Sequence, residues 1–310
     1  MAPDPRLTRR DLLASGAALS LAAALPRGAR AQAAGPGPDP LFHMSLAEWS
    51  YHRALQGGQM QHLDFPAKAR EHGLEGCEYV NQFFKDKATD FAYLRELTQR
   101  CEDNGVKSLL IMCDGEGDLA GADEGARQTA IANHFRWIAA GAFLGCHSIR
   151  VNLYGEGTPE ELAPRAADSL HRLGEMGASY GLNVIVENHG GASSIGTWLA
   201  DVIRRADYPR VGTLPDFGNF NLGGGKSYDR YKGVEEMMPF AKAVSAKSYD
   251  FDAAGNETTI DYERMLKIVL AAGYHSYLGI EYEGERLSEP EGVEATKALL
   301  VRLRAELGRG

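Results

Sequence analysis

Three acidic residues of this chain lie where short β-rich runs end. Glu187 is the second-to-last residue of the run LNVIVEN. Asp216 lies near the end of VGTLPDF, and Glu281 lies near the end of SYLGIEYE. Carboxylates that approach one another repel unless they are protonated or share a cation. If the three runs are neighbouring strands, the sequence predicts a divalent metal site with Glu187, Asp216 and Glu281 as ligands. Oxygen ligands, with at most one imidazole, suit Mn, Mg, Co or Zn.

Eight such β-rich runs recur along the chain, and amphipathic helical stretches separate them. The runs are 43–50, 74–80, 106–112, 146–154, 182–188, 211–217, 242–251 and 276–283. Their spacing of roughly 30–40 residues is that of a repeated βα unit. The pattern allows an open doubly wound sheet or a closed ring, but no G-x-G-x-x-G follows the first run. The regular spacing therefore favours an α/β fold of the (β/α)8 TIM barrel type, whose chemistry lies at the C-terminal ends of its strands.

Lys247 is the basic residue that this layout places nearest to the acidic cluster. It stands two residues after Ser245, so the two side chains share one face of the seventh run. If Lys247 points into the barrel, it can stabilise negative charge on a substrate oxygen. The alternative is a lysine that pairs with Asp250 or Asp252 at the rim.

Four further polar residues are candidates for substrate binding. His189 follows Glu187 by two residues, so it can ligate the metal, bind sugar hydroxyls or order its loop. Asn219 lies three residues after Asp216, His52 follows the first run, and Asn152 lies near the end of the fourth. In a closed barrel all four would face the same opening.

The glycine-rich segment NLGGGKSYDRYKG (221–233) follows the sixth run. It lacks the Gly-Lys-Ser/Thr spacing of a nucleotide-binding loop. We expect it to form a mobile lid over the barrel mouth, with Tyr228 and Tyr231 available to stack on a sugar.

The first residues have the pattern of an export signal. Thr8 to Leu13 read TRRDLL, a short alanine-rich apolar run follows, and small residues end the segment. This pattern predicts a twin-arginine signal peptide over 1–33, a tether over 34–41 and one catalytic TIM-barrel domain over 42–310. A protein exported folded by this route would be periplasmic or secreted.

Composition excludes several classes of partner. The chain has a net charge of −9, and removal of 1–33 would take away five arginines and two aspartates, leaving −12. Such an acidic body does not favour a nucleic-acid groove. After removal of the signal, no segment is long and apolar enough to span a membrane. The four cysteines lack C-x-x-C spacing, so we expect buried free thiols and not a zinc knot.

Five segments together resemble the sugar phosphate isomerase/epimerase family, the xylose isomerase-like TIM barrels. They are ENHGG, LPDFGNF, VSAKSYDFD, NETTIDY and GYHSYLGIEYEG. The resemblance implies metal ligands Glu, Asp, His and Glu on strands five to eight. Glu187, Asp216 and Glu281 match, but Ser245 stands where the histidine is expected and would be a weak ligand. Asn219 stands where sugar-epimerising relatives often have a histidine that contacts the substrate.

This resemblance implies a metal-dependent isomerase or epimerase that acts on a small carbohydrate, and the twin-arginine pattern implies that it is exported. Glu187 and Glu281 would move a proton next to a carbonyl through a metal-stabilised enediolate, and Lys247 would assist. One alternative is a lyase or dehydratase that acts on keto-sugars or keto-glycosides through the same intermediate. Another is a non-catalytic exported sugar-binding protein, which the serine at 245 favours. A hydrolase related to apurinic endonucleases would need more histidines and a basic groove. The sugar, the metal and any homo-oligomer stay open.

Overall fold

The computed structural model describes residues 40–309, and its central feature is one sheet of eight parallel strands. Each strand overlaps one of the eight predicted runs. The strands are β1 (His43–Ala47), β2 (Gly76–Val80), β3 (Lys107–Met112), β4 (Ser148–Val151), β5 (Asn183–Glu187), β6 (Val211–Leu214), β7 (Val244–Ser248) and β8 (Tyr277–Tyr282). The predicted signal over 1–33 lies outside the described residues, as does the tether up to residue 39.

The strand order is β6-β5-β4-β3-β2-β1-β8-β7, so β6 and β7 stand at its two ends. The ring closes between these two strands through irregular backbone pairing. The amide of Lys242 donates to the carbonyl of Thr213 at 3.0 Å, and that of Ser245 donates to Pro215 at 3.0 Å. Pro215 has no N–H of its own, so it cannot continue the regular ladder of β6. We call this β6–β7 junction the seam. The prediction of a closed TIM barrel is confirmed.

Nine α-helices lie within the described residues, and most of the longer ones begin at a capping side chain. They are α1 (His52–Gln56), α2 (Phe65–Glu71), α3 (Phe91–Asn104), α4 (Glu124–Leu144), α5 (Pro159–Ser179), α6 (Gly196–Ala206), α7 (Arg230–Met237), α8 (Tyr262–Ala271) and α9 (Glu289–Leu307). Thr158 and Ser288 form capping boxes at α5 and α9. Gly105 ends α3 with φ of 63°, a left-handed conformation that glycine adopts at little cost.

Apolar side chains pack on both sides of the ring of strands. A large cluster joins the strands to the helices. A smaller one consists of strand residues and one residue just before β7: Ala47, Val80, Leu110, Met112, Ile185, Leu214 and Ala243. All four cysteines are buried and free, as predicted. None of the helices between residues 40 and 309 is both long and apolar enough to cross a membrane.

A short antiparallel hairpin follows β6, between Asn221–Gly223 and Lys226–Ser227. It forms part of the segment that we expected to be a lid. The two tyrosines of that segment are engaged elsewhere. The Tyr228 hydroxyl donates to Glu236 at 2.9 Å, and the ring of Tyr231 lies 3.9 Å from the guanidinium of Arg264. Neither lines the cavity at the barrel mouth, so the expectation that they stack on a sugar is wrong for this conformation.

Candidate active site

Three buried carboxylates meet at the C-terminal end of the barrel. Glu187 is the last residue of β5, Asp216 follows β6 by two residues, and Glu281 lies near the end of β8. One carboxylate oxygen from each lies within 4.8 Å of the other two. Their exposed fractions are 2%, 0% and 4%. The strand ends therefore bring together the three acidic residues that the sequence indicates.

Asp216 is held by its own loop and by the neighbouring strand end. Its Oδ1 accepts hydrogen bonds from the amides of Gly218 (2.8 Å) and Asn219 (2.7 Å). The side chain of Asn188, next to Glu187, accepts from the Asp216 amide at 2.7 Å and donates to its carbonyl at 3.0 Å. A Cβ at position 218 would lie 2.4 Å from the Tyr249 hydroxyl and 2.7 Å from the Lys247 side chain, so this tight turn requires glycine.

Ser245 and Lys247, both on β7, contact the carboxylates directly. The Ser245 hydroxyl lies 2.7 Å from Asp216 Oδ2 and 2.9 Å from Glu281 Oε2, and its single proton can be donated to one of them at a time. The ammonium of Lys247, 1% exposed, lies 2.9 Å from Glu281 Oε1, 3.3 Å from Glu283 Oε2 and 3.8 Å from Asp216 Oδ2. Lys247 thus points inward, and the alternative pairing with Asp250 or Asp252 is not formed.

Arg150, on β4, supplies a second buried cation. Its Nη1 donates to Asp114 at 2.6 Å, and its Nε lies 2.8 Å from Glu187 Oε2. The latter pair is close but lacks hydrogen-bond alignment, so both atoms are without a hydrogen-bond partner. Asn152 donates to Asp114 at 2.7 Å, and Asn219 donates to Glu187 Oε1 at 2.9 Å. Glu187 is thus fixed through one oxygen, while the other keeps a lone pair available.

The two cations affect the pKa values of the three carboxylates differently. Burial, with repulsion from Glu281, raises the pKa of Glu187 to about 7 against the opposing pull of Arg150. Burial likewise raises the pKa of Asp216 to about 7, although Lys247 opposes it. For Glu281, burial acts upward, but Lys247 and Ser245 outweigh it and hold its pKa below the ordinary range. Glu281 is therefore held in its ionised form, whereas Glu187 can exchange a proton near neutrality.

A fourth carboxyl, Glu78 on β2, lies buried inside the barrel. The Ser45 hydroxyl donates to its Oε1 at 2.5 Å, and its Oε2 has no hydrogen-bond partner. A Cβ at Gly279 would lie 2.5 Å from that oxygen, so glycine makes the room for this carboxyl. Burial, with repulsion from Glu281 and Glu187, raises the pKa of Glu78 to about 8. Glu78 is therefore neutral at pH 7.

A cavity of about 480 Å³ opens at the barrel mouth, and of the three carboxylates Glu281 lines it. Its lining includes Trp49, Gln82, Asp114, Arg150, Asn152, Tyr154, His189, Asn219, Glu281 and Glu283. A groove of about 620 Å³ between α7 and α8 is larger but lies on the outside of the barrel, away from the strand ends. The mouth is the better candidate because the buried charged groups face it.

Three of the four predicted substrate-binding residues line this cavity: His189, Asn219 and Asn152. The ring of His189 accepts from or donates to the Tyr154 hydroxyl at 2.6 Å. His52 does not line the cavity, because its turn after β1 aims Nδ1 at the carbonyl of Trp49, 2.7 Å away. Its ring stacks on Trp49 at 4.8 Å, so His52 supports an aromatic residue that does face the opening.

A family model described as "xylose isomerase-like TIM barrel" matches residues 66–303, which is more than half of the chain. This chain belongs to the xylose isomerase-like TIM barrel family.

Solved structures of other barrels agree with that assignment at the level of the fold. The structure of an L-ribulose 3-epimerase superposes with a TM-score of 0.67 at 14% identity, covering 86% of this chain and 96% of the other. A 3-keto-D-glucoside 4-epimerase from E. coli gives 0.62 at 17% identity, covering 77% and 94%. Structural neighbours of this xylose isomerase-like barrel thus include sugar epimerases.

A curated relative matches over a short stretch only. The alpha subunit of a C-glycoside deglycosidase from Arthrobacter globiformis is 37% identical over 54 residues. That stretch is 17% of this chain and 15% of the relative, so the chain matches only a small part of that protein.

The acidic residues of this family member fit a divalent cation. Three oxygens within 4.8 Å of one another are hard ligands, and Glu187 Oε2 has no hydrogen-bond partner. Ser245 supplies no nitrogen ligand, and its hydroxyl already contacts two of the carboxylates. A xylose isomerase-like barrel from Mycobacterium smegmatis, solved in complex with magnesium, has a TM-score of 0.64 at 16% identity and covers 85% of this chain and 97% of the other.

Sequence reasoning missed Asp114 as a member of the site, and it gave Arg150 and Trp49 no catalytic or binding role. Arg150 lies two residues before Asn152 on one strand, so the shared face was a usable signal. Asp114 follows β3 by two residues, as Asp216 follows β6. A search for acidic residues at the C-terminal end of β3, like the one made for β5, β6 and β8, would have found Asp114.

Proposed function

We propose that this protein is a sugar epimerase or isomerase that removes and returns a proton at a carbon next to a carbonyl, with a divalent metal held by Glu187, Asp216 and Glu281. One observation carries the proposal. Three buried carboxylates from three strand ends converge beneath an open cavity whose volume is in the range of ligand pockets. The structural neighbours include an L-ribulose 3-epimerase and a 3-keto-D-glucoside 4-epimerase, which supports the same chemistry.

Glu187 is the residue best suited to accept the proton. Its pKa of about 7 matches the operating range of a general base, and Oε2 accepts no hydrogen bond. Nε of Arg150 lies 2.8 Å from Oε2, so a proton taken up there would weaken that ion pair. Asn219 fixes the carboxylate through Oε1, and Arg150 holds the opposite side by charge. Both restrict the carboxylate to one orientation toward the cavity.

Glu281 is the partner carboxylate on the other side of the cluster. Lys247 and Ser245 hold it as an anion, so it acts first as a ligand. Because Glu281 is an anion, a water molecule on its side would supply the proton that gives the epimer, and Glu187 would then release its proton to solvent. A proton that Glu187 itself returns to the neighbouring carbon would give the isomer. Lys247 lies within reach of both Glu281 and Glu283 and would stabilise negative charge that develops on a substrate oxygen.

When bound, a divalent ion polarises the substrate carbonyl and so acidifies the neighbouring C–H group. Mn, Mg, Co and Zn are all compatible with three carboxylate ligands. Water or His189 would complete the shell, because Ser245 is a weak ligand.

A lyase or dehydratase is the second candidate. The 54-residue similarity to a C-glycoside deglycosidase subunit favours it, because that relative is named for removing a group from a sugar. The same proton abstraction by Glu187, followed by loss of a group on the next carbon, would give an unsaturated sugar. A non-catalytic sugar-binding protein is the third candidate, and Ser245 is its support. The twin-arginine pattern supports action outside the cytoplasm for all three.

One experiment separates these functions. Protein loaded with Mn²⁺ is incubated with a panel of ketoses and keto-glycosides in heavy water, and NMR follows deuterium at the carbons next to the carbonyl. An epimerase or isomerase incorporates deuterium and gives a new sugar, whereas a lyase gives an absorbing unsaturated product. Sugar binding that persists after chelation, with no deuterium incorporated, would overturn the enzyme proposal.

A further inference from the structure

The cavity above the carboxylates has an excess of negative charge. Of the residues that line it, three are carboxylates and one is a cation: Asp114, Glu281, Glu283 and Arg150. Glu187, Asp216 and Lys247 lie beneath these residues. With them the site has five carboxylates and two cations, a net charge of −3 when all are ionised. A divalent ion at the proposed site would bring this balance only to −1.

Both cations are already paired. Arg150 lies 2.6 Å from Asp114 and 2.8 Å from Glu187, and Lys247 lies within 3.8 Å of Asp216, Glu281 and Glu283. The ring of His189 is likewise engaged, since its Nδ1 lies 2.6 Å from the Tyr154 hydroxyl. Among the residues that line the cavity, no basic side chain is therefore left to bind an anion.

The loops after β7 and β8 also disfavour the binding of an anion. TIM barrels that bind phosphate commonly hold it with the loops after the seventh and eighth strands. Here those loops place Glu283 on the cavity lining, and Arg286 at the rim is paired with Asp250 at 3.0 Å. Asp252 and Glu257 accept hydrogen bonds from amides of their own loop. Lys226 is exposed on the hairpin and does not line the cavity. A phosphate carries a charge of about −1.5 to −2 at pH 7, and it would face carboxylates at this position.

The remaining groups suit a neutral polyhydroxylated ligand. Trp49 offers a ring face that is braced by His52 at 4.8 Å and by Phe83 at 6.1 Å. Asn152, Asn219 and Gln82 offer amides, and carboxylates accept hydrogen bonds from hydroxyl groups. An aromatic face with amides and carboxylates around it can bind the C–H face and the hydroxyl groups of a sugar together.

We infer that the site takes an unphosphorylated sugar or glycoside and rejects the phosphorylated form, although family members are grouped under a sugar phosphate name. This inference rests on the proposed function, since it describes the substrate of the same site. It predicts discrimination by charge, which weakens as salt screens the carboxylates.

Matched pairs of sugars test it. D-fructose and D-tagatose are compared with their 6-phosphates, using Mn²⁺-loaded protein, by calorimetric titration and by deuterium incorporation. Methyl β-D-glucoside, which has no carbonyl, is compared with its 6-phosphate by titration alone. We expect at least one neutral sugar to bind, each 6-phosphate to bind at least tenfold more weakly than its neutral partner, and the ratio to fall in 0.5 M salt, where the screening length is only about 4 Å. Glu283→Gln removes one carboxylate from the rim and should reduce the ratio, while Glu102→Gln on the outer face of α3 should not.

The outcomes separate the inference from the proposed function. A 6-phosphate that binds as tightly as its neutral partner and exchanges deuterium would overturn the inference and leave the enzyme proposal standing. Failure of every neutral sugar to bind would also overturn the inference. Neutral sugars that bind selectively without any deuterium exchange would support the inference and contradict the enzyme proposal.

Discussion

The ammonium group of Lys247 lies 2.9 Å from Oε1 of Glu281, and both side chains are buried. Burial acts to lower the pKa of Lys247, but Asp216, Glu281 and Glu283 together raise it well above the ordinary value. The lysine is therefore charged at every pH at which the protein would act. It neutralises part of a cluster that would otherwise be strongly repulsive.

Lys247→Met should consequently reduce stability as well as turnover. Removing one partner of a buried charge pair costs about 3–5 kcal/mol, because the other charge is left without compensation. The loss in the free energy of unfolding should be large at pH 8 and smaller at pH 5, where the carboxyls take up protons. Urea denaturation at the two pH values measures it. Lys267→Met, at an exposed ion pair on α8, is the matched control, and equal stability of Lys247→Met and wild type at pH 8 would contradict the prediction.

Glu187→Gln should abolish proton transfer and leave the barrel folded. Glutamine keeps the acceptor oxygen that Asn219 contacts but cannot take a proton, and a positioned general base typically contributes about 10²–10⁴-fold in rate. Deuterium incorporation at the substrate carbon next to the carbonyl is the readout, with circular dichroism as the check on folding. If incorporation is unchanged, another residue is the base.

Ser245→His should bind divalent metal more tightly than the wild type. An imidazole adds a nitrogen ligand beside three carboxylates, and a gain of about 1.4 kcal/mol corresponds to tenfold in affinity. Titration of the apoprotein with Mn²⁺ or Co²⁺, followed by calorimetry, measures the change without relying on activity. Ser227→His on the exposed hairpin is the control. Equal affinity in both variants would argue against a metal at this position.

Glu78→Gln should change how stability depends on pH. The ordinary pKa of a glutamate is 4.5, and that of Glu78 in the folded protein is about 8. Between these values the folded chain keeps a proton that the unfolded chain releases, so this group lowers stability as the pH rises, by about 1.4 kcal/mol per pH unit. Glutamine removes that contribution, so the variant should lose less stability than wild type between pH 5 and 8. Parallel pH profiles for wild type and Glu78→Gln in urea denaturation would refute this.

The sequence predicted the elements and the acidic cluster for the same reason. Residues at the C-terminal ends of parallel strands must meet once the ring closes, so Glu187, Asp216 and Glu281 could be placed without knowing a single contact. Lys247 followed from its spacing relative to Ser245. The eight runs were visible because β-rich runs and helical stretches alternate with glycine between them.

Side chains beyond the strand ends could not be placed in this way. The turn after β1 directs His52 toward the Trp49 carbonyl, and no periodicity reports the direction of a turn. Tyr228 and Tyr231 follow a glycine-rich hairpin, and their contacts with Glu236 and Arg264 depend on where α7 and α8 pack. The pairing of Arg150 with Asp114 likewise depends on two strands being neighbours in the ring.

The seam between β6 and β7 has a consequence for how this protein can change. Asp216 and Ser245 close the ring and also form part of the site, where most other strand pairs rely on a regular ladder. Mutations at these two positions would remove the side-chain hydrogen bond that reinforces the backbone pairing of the seam, so they would reduce stability as well as activity. Homologous proteins that have lost activity should keep a hydrogen-bonding pair at positions 216 and 245 even where Glu187 has been replaced.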